Sequence, residues 1–215
     1  MSDLFAIARR DLGRSFAGGG WLLPLIFFML VATLFPFAIG PDPTILGRVG
    51  GGVLWTAALL AALFPIDRLI APDRDAGVLD QYAVRGISEE VVAVAKIAAH
   101  WIGFGPPLML AALPASALLG MEMDSVVRLE AGLALGSLGL AALAVTVSAL
   151  VAGLPGGGAL AGLLMLPLAV PVLIFGAGAL DELQRGAFAL LGASALLLLA
   201  IAPFATGAAI RAMRD

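Results

Sequence analysis

The chain has 215 residues, of which 61% are apolar and 13% charged, and its net charge at pH 7 is −3. A water-soluble domain carries about 45–50% apolar and about 25% charged residues, so this much apolar surface has to face lipid. The lack of cysteine excludes thiolate catalysis, iron–sulfur ligation and disulfide scaffolding, and a single histidine excludes a multi-histidine metal site. The small net charge gives no footprint for nucleic acid.

The first segment, residues 1–20, reads as an interfacial helix and an elbow. Leu4, Ala8, Leu12 and Phe16 recur at a spacing of four, with Phe5 beside them, while Asp3, Arg10 and Arg14 fall on other faces. Such an amphipathic helix lies in the membrane interface, with its arginines favouring the anionic leaflet. Gly18 to Gly20 then predict a flexible corner. The apolar run that follows is too long for a signal-peptide core and has no small-x-small cleavage site.

Six apolar runs follow, near the length of about 20 residues that a spanning helix needs. They cover about 21–39, 49–66, 97–121, 131–152, 159–180 and 187–210. Alternation of period two is absent, which argues against strands. The expectation is one all-α polytopic transmembrane domain over 1–215. None of the runs contains Asp, Glu, Arg or Lys. Proton relays, ion pathways and intramembrane catalysis use such groups, so an ion pump or an intramembrane hydrolase is not expected.

The connections give the orientation. Arg9, Arg10, Arg14, Arg68, Arg74, Arg85, Lys96, Arg211 and Arg214 fall on one side, and only Arg48, Arg128 and Arg185 on the other. The excess of basic residues predicts that both termini and the long loop are cytoplasmic, in a bacterial-type inner membrane.

That long loop, 67–96, carries ten charged residues. Its centre, DRDAGVLDQYAVRG, reads as a short helix with Asp73 or Asp75 as its cap and Val78, Leu79 and Tyr82 as its apolar face. Gly86 makes a turn, and Ser88, followed by Glu89 and Glu90, reads as the N-cap of the helix leading into the third span. A short cytoplasmic helix between two spans is either a docking knob for a soluble partner or a solvated loop, and composition alone balances the two.

Gly132 and Gly136 in the fourth span have G-x-x-x-G spacing, with Gly139 beyond them, which favours close packing within the chain over dimerisation. Pro106 and Pro107, and Pro167 and Pro171, are candidate kinks. His100 is a weak candidate haem ligand, and a hydrogen-bonded interfacial pair with Trp101 is preferred. The only lysine, Lys96, follows Ala95, so there is no phosphate-binding loop, and ATP would be bound by another chain.

Several strings resemble the CcmB family, haem exporter protein B. They are PLIFFMLVATLFPFAIGPDP (Pro24 to Pro43), LWTAALLAALFPIDRL (Leu54 to Leu69), the Asp73 to Gln81 run, VAVAKIAAHW (Val92 to Trp101) and PLAVPVLIFGAGA (Pro167 to Ala179). The resemblance covers essentially the whole chain. It implies a permease of type-2 ABC exporter architecture in cytochrome c maturation, with no catalytic residues of its own. It also implies a CcmA-type ATPase, a second permease copy, and CcmC-type and CcmE-type haem-handling partners. ATP would sit on the partner subunit, and haem would be handled by the complex. Asp73, Arg74, Asp75, Gly77, Leu79, Asp80 and Gln81 would form the ATPase-coupling loop.

The chain departs from the family pattern at Arg85-Gly86, where a Ser-Pro turn is usual. It also lacks the tryptophan-rich segment of the haem-handling proteins, which fits a subunit that powers release of a haem-loaded chaperone. A non-transporting scaffold for the maturation complex and a permease for a different substrate are the alternatives.

Overall fold

The computed structural model describes residues 2–64, 66–181 and 186–214. Arg185, counted above among the basic residues of the connections, lies outside them. The described residues form ten helices: α1 (Ser2–Ala17), α2 (Leu22–Ile39), α3 (Pro43–Ala61), α4 (Ile66–Leu69), α5 (Ala71–Asp75), α6 (Val78–Val84), α7 (Glu89–Leu118), α8 (Met123–Val151), α9 (Gly157–Gly178) and α10 (Ala187–Ala212). Six of them, α2, α3, α7, α8, α9 and α10, are long and apolar enough to cross a membrane. The protein is an all-α, multi-pass membrane protein.

Three of the spanning helices, α3, α7 and α8, begin before their apolar runs, and side-chain caps explain it for α3 and α7. Asp42 accepts hydrogen bonds from Thr44 N at 2.8 Å and Ile45 N at 3.4 Å, and Pro43 stands in the first turn, so α3 starts there and takes in Arg48. Ser88 Oγ accepts from Val91 N at 3.4 Å, so α7 starts two turns before its apolar stretch and takes in Lys96. Arg128 and Glu130 likewise fall inside α8. These three helices thus carry ionisable groups ahead of their apolar runs, because helix begins at the cap and not at the first apolar residue.

The core is closed by glycines around one indole. Trp55 on α3 is fully buried. A Cβ at Gly136 would lie 2.5 Å from its ring, one at Gly176 2.4 Å, and one at Gly132 3.1 Å. The three glycines of α8 and α9 therefore form the slot that admits Trp55, and Gly139 brings α8 against Ala195 of α10. The G-x-x-x-G spacing serves packing within the chain. A second cluster joins Ile7 of α1, Ile70, Leu79 of α6, Val92 of α7 and Ile210 of α10.

α1 packs along the first half of α7 with only part of its apolar face. Ile7 is buried, with Leu4 and Ala8 packed against the second cluster, while Phe5 is 68% exposed and Phe16 43%. A strict spacing of four drifts around a helix of 3.6 residues per turn, so the contact stripe runs Leu4, Ile7, Ala8, Asp11. At the other edge of α7, Arg211 of α10 pairs with Glu89 at 3.2 Å and Glu90 at 2.6 Å, and Arg214 pairs with Glu89. Both ends of the described chain therefore lie at the end of the bundle where α7 begins.

Candidate functional site

The α4–α6 segment sits at that same end, and a single carboxylate fixes it. Asp73 is 2% exposed. Arg10 donates to it as a fork, Nη2 to Oδ1 at 2.8 Å and Nη1 to Oδ2 at 3.2 Å. Arg14 Nη1 donates to Oδ1 at 2.7 Å, and Lys96 Nζ to Oδ2 at 2.5 Å. Lys96 also donates to Asp11 Oδ2 at 2.8 Å and to the Leu69 carbonyl at 3.0 Å. Burial pushes the Asp73 pKa up, but the hydrogen bond from Arg10, the charge and hydrogen bond of Lys96, and the hydrogen bond from Arg14 outweigh it. The group is held well below the usual carboxylate range. The N-terminal helix α1 and the helix that follows the loop, α7, are thereby locked to α5.

This geometry overturns the expected cap. The N-cap of α5 is Ile70 and that of α6 is Gly77, neither with a side-chain bond. Asp73 turns inward because three cations compete for its oxygens, each at shorter range and with more charge than a backbone N–H offers.

The segment is braced from α8 and α9 as well. Ser148 Oγ donates to the Ile66 carbonyl at 2.6 Å. The turn between α8 and α9 has Gly153 at φ 86°, and a Cβ there would meet the Arg74 guanidinium at 2.5 Å. One on Gly158 would meet Asp67 Oδ2 at 2.8 Å. A wall of the segment therefore rests on glycine backbone.

The predicted loop residues divide between two faces. Asp73 and Leu79 face the bundle, and Arg74 lies over Gly153 while bonding Asp75 at 3.5 Å. Gly77, at φ 66°, makes the left-handed joint between α5 and α6, a conformation that costs glycine little. Asp75, Asp80 and Gln81 are exposed. Val84, 89% exposed, and Arg85 complete that outer face. Read from the sequence, Arg10 and Arg14 face anionic lipid; in the structure they hold the segment together with Asp11 and Lys96. Arg10 and Arg14, at i and i+4, share one helix face, which was the available signal.

His100 does not pair with Trp101. Neighbours on a helix point about 100° apart. Trp101 Nε1 donates to Ser137 Oγ at 3.0 Å on α8, whereas His100 stacks on Phe104 with ring centres 5.6 Å apart. Among the described residues no group of three or more His, Asp or Glu side chains could hold a metal.

The family model described as CcmB protein matches residues 2–213. The chain belongs to the CcmB family. A CcmB relative from Rhodobacter capsulatus, heme exporter protein B, is 43% identical over 215 residues, covering 96% of this chain and 97% of the relative. Heme exporter protein B of Bradyrhizobium diazoefficiens is 38% identical, with 98% of each chain covered. That of Escherichia coli K12 is 39% identical, over 87% of this chain and 88% of its own. The CcmB match spans α1 to Met213, so the knob of α6 and every side chain that anchors it lie inside the family region.

Proposed function

We propose that this chain is the membrane permease of an ATP-driven complex that handles haem for cytochrome c maturation, and that α5 and α6 are where its partner ATPase docks. The observation that carries the docking site is the two-faced α4–α6 segment. Its inner face is tied to α1 and α7 through Asp73, and its outer face presents Asp75, Asp80, Gln81, Val84 and Arg85. A rigid knob of this kind passes a push from a soluble domain into α7 without being deformed itself. The names of the relatives support haem as the handled species. The excess of basic residues at this end supports a cytoplasmic location for the knob and both termini, in the inner membrane. ATP is bound and hydrolysed by the CcmA-type partner. A second permease copy and CcmC-type and CcmE-type haem-handling proteins complete the assembly. Its work is the delivery of haem or the release of the haem-loaded chaperone.

The test is recovery of the tagged full chain from membranes in mild detergent, with mass spectrometry of the eluate. A P-loop ATPase in about equal amount, with haem-handling proteins, is expected. A chain recovered alone, under conditions that keep another ABC complex intact, would overturn the reading.

A further inference from the structure

Beneath the corner between α1 and α2, a cavity of about 270 Å³ opens between α1, the α4–α5 segment and α7. Its size is just below that of small-molecule pockets, about 300–1,000 Å³. The carboxylates that line it, Asp11 and Asp73, are already engaged by Lys96, Arg10 and Arg14. Three donors on the lining are left over. Arg68 makes no ion pair or hydrogen bond among the described residues, and its Nη1 stands 3.7 Å from where a Cβ of Gly20 would be, at the corner itself. Arg14 uses only Nη1 on Asp73. Ser15 Oγ has no partner among the described residues. Around two carboxylates there are thus four cations, Arg10, Arg14, Arg68 and Lys96.

The surplus is positive and the free groups are donors, so the complementary ligand is an anion with several acceptor oxygens. The cavity's depth narrows the choice. Trp21, whose ring lies 5.5 Å from that of the exposed Phe16, stands at the corner, and tryptophan settles at the headgroup level of a bilayer. We propose that this cavity binds a phosphate group at the membrane interface, with Arg68, Arg14 and Ser15 as its donors. Two sources share that chemistry, the headgroup of an anionic phospholipid and a soluble phosphate. Bound there, the phosphate joins α1 to α4 and α7 and makes the anchoring of the knob depend on what surrounds it. The site requires neither haem nor an ATPase, so its failure would leave the permease reading untouched.

The experiment uses the delipidated full chain in mild detergent and reads its thermal unfolding midpoint. The probes are phosphatidylglycerol, phosphatidylcholine and inorganic phosphate, the last against sodium chloride of equal ionic strength. Saturating phosphatidylglycerol is expected to raise the midpoint by about 5 °C, and phosphatidylcholine to do little. Arg68→Gln should lose most of that shift, while Arg9→Gln, which removes an exposed charge outside the cavity, should keep it. A shift with inorganic phosphate that Arg68→Gln also loses would support the site and assign it to soluble phosphate. No shift with either probe would overturn the proposal. So would equal loss in Arg68→Gln and Arg9→Gln, which marks diffuse attraction. If Arg68→Gln does not fold, Ser15→Ala decides: loss of about half the shift supports the site, and full retention overturns it.

Discussion

Lys96 Nζ stands 2.5 Å from Asp73 Oδ2, and both side chains are only 3% exposed. Removing one member of a buried ion pair costs about 3–5 kcal/mol, because the charge left behind stays out of water. Asp73→Asn leaves Arg10, Arg14 and Lys96 short of a shared anion, whereas Lys96→Met leaves Asp73 with two arginines. We therefore expect Asp73→Asn to be the more destabilising of the two, by about 3 kcal/mol or more. Thermal or denaturant unfolding of the three purified chains in one detergent checks the order.

The same carboxylate sets an acid limit. Its folded pKa is depressed, so its contribution is fully present above the unfolded value of about 3.9 and is lost as pH falls through the folded value. The stability gap between the natural chain and Asp73→Asn should stay level from pH 8 to about 5 and shrink below about pH 4. Paired melting curves across a pH series test this. A gap that shrank near pH 6 would mean another group controls it.

On the outer face the expectation is the opposite, normal folding with lost function. Asp75 is exposed, as is Asp80, and neither anchors the bundle. Asp75→Arg with Asp80→Arg should change stability by no more than about 0.5 kcal/mol. In the reconstituted complex it should uncouple partner ATPase activity, at normal expression of the chain. Unchanged coupling would sink the assignment of α5 and α6 as the ATPase contact.

Packing around Trp55 gives a test independent of function. Gly136→Ala forces a Cβ to within 2.5 Å of the indole and should cost about 1–3 kcal/mol. Gly192→Ala on α10 meets nothing within 4 Å and should be neutral or slightly stabilising. Trp55→Phe combined with Gly136→Ala should recover part of the loss, since the smaller ring vacates the contact. The four chains compared by thermal unfolding distinguish overpacking from a general intolerance of alanine.

The bundle was legible because lipid demands long uncharged stretches, and six of them stand out from the connections. Ser88 was legible as a cap because a side-chain oxygen three residues before a backbone N–H is a local arrangement. Asp42-Pro43 carried the same kind of signal and was overlooked, since hydropathy puts the start of the second span at Val49. The inward turn of Asp73 was not legible. Its partners Arg10 and Arg14 come from a helix at the far end of the chain segment, and only folding puts them beside it. Which apolar residues of α1 pack on the bundle was not legible for a related reason: in a membrane protein an apolar face is as suited to lipid as to the core. Composition cannot tell those two solvents apart.

The slot around Trp55 also orders the birth of the protein. The indole is made with α3, but Gly132 and Gly136 come with α8 and Gly176 only near the end of α9. Until α9 has entered the bilayer, the largest side chain of the core lacks one of its walls. A chain halted before Gly176 therefore leaves the slot open on its α9 side, and α10, whose Ala195 meets α8 at Gly139, is still to come.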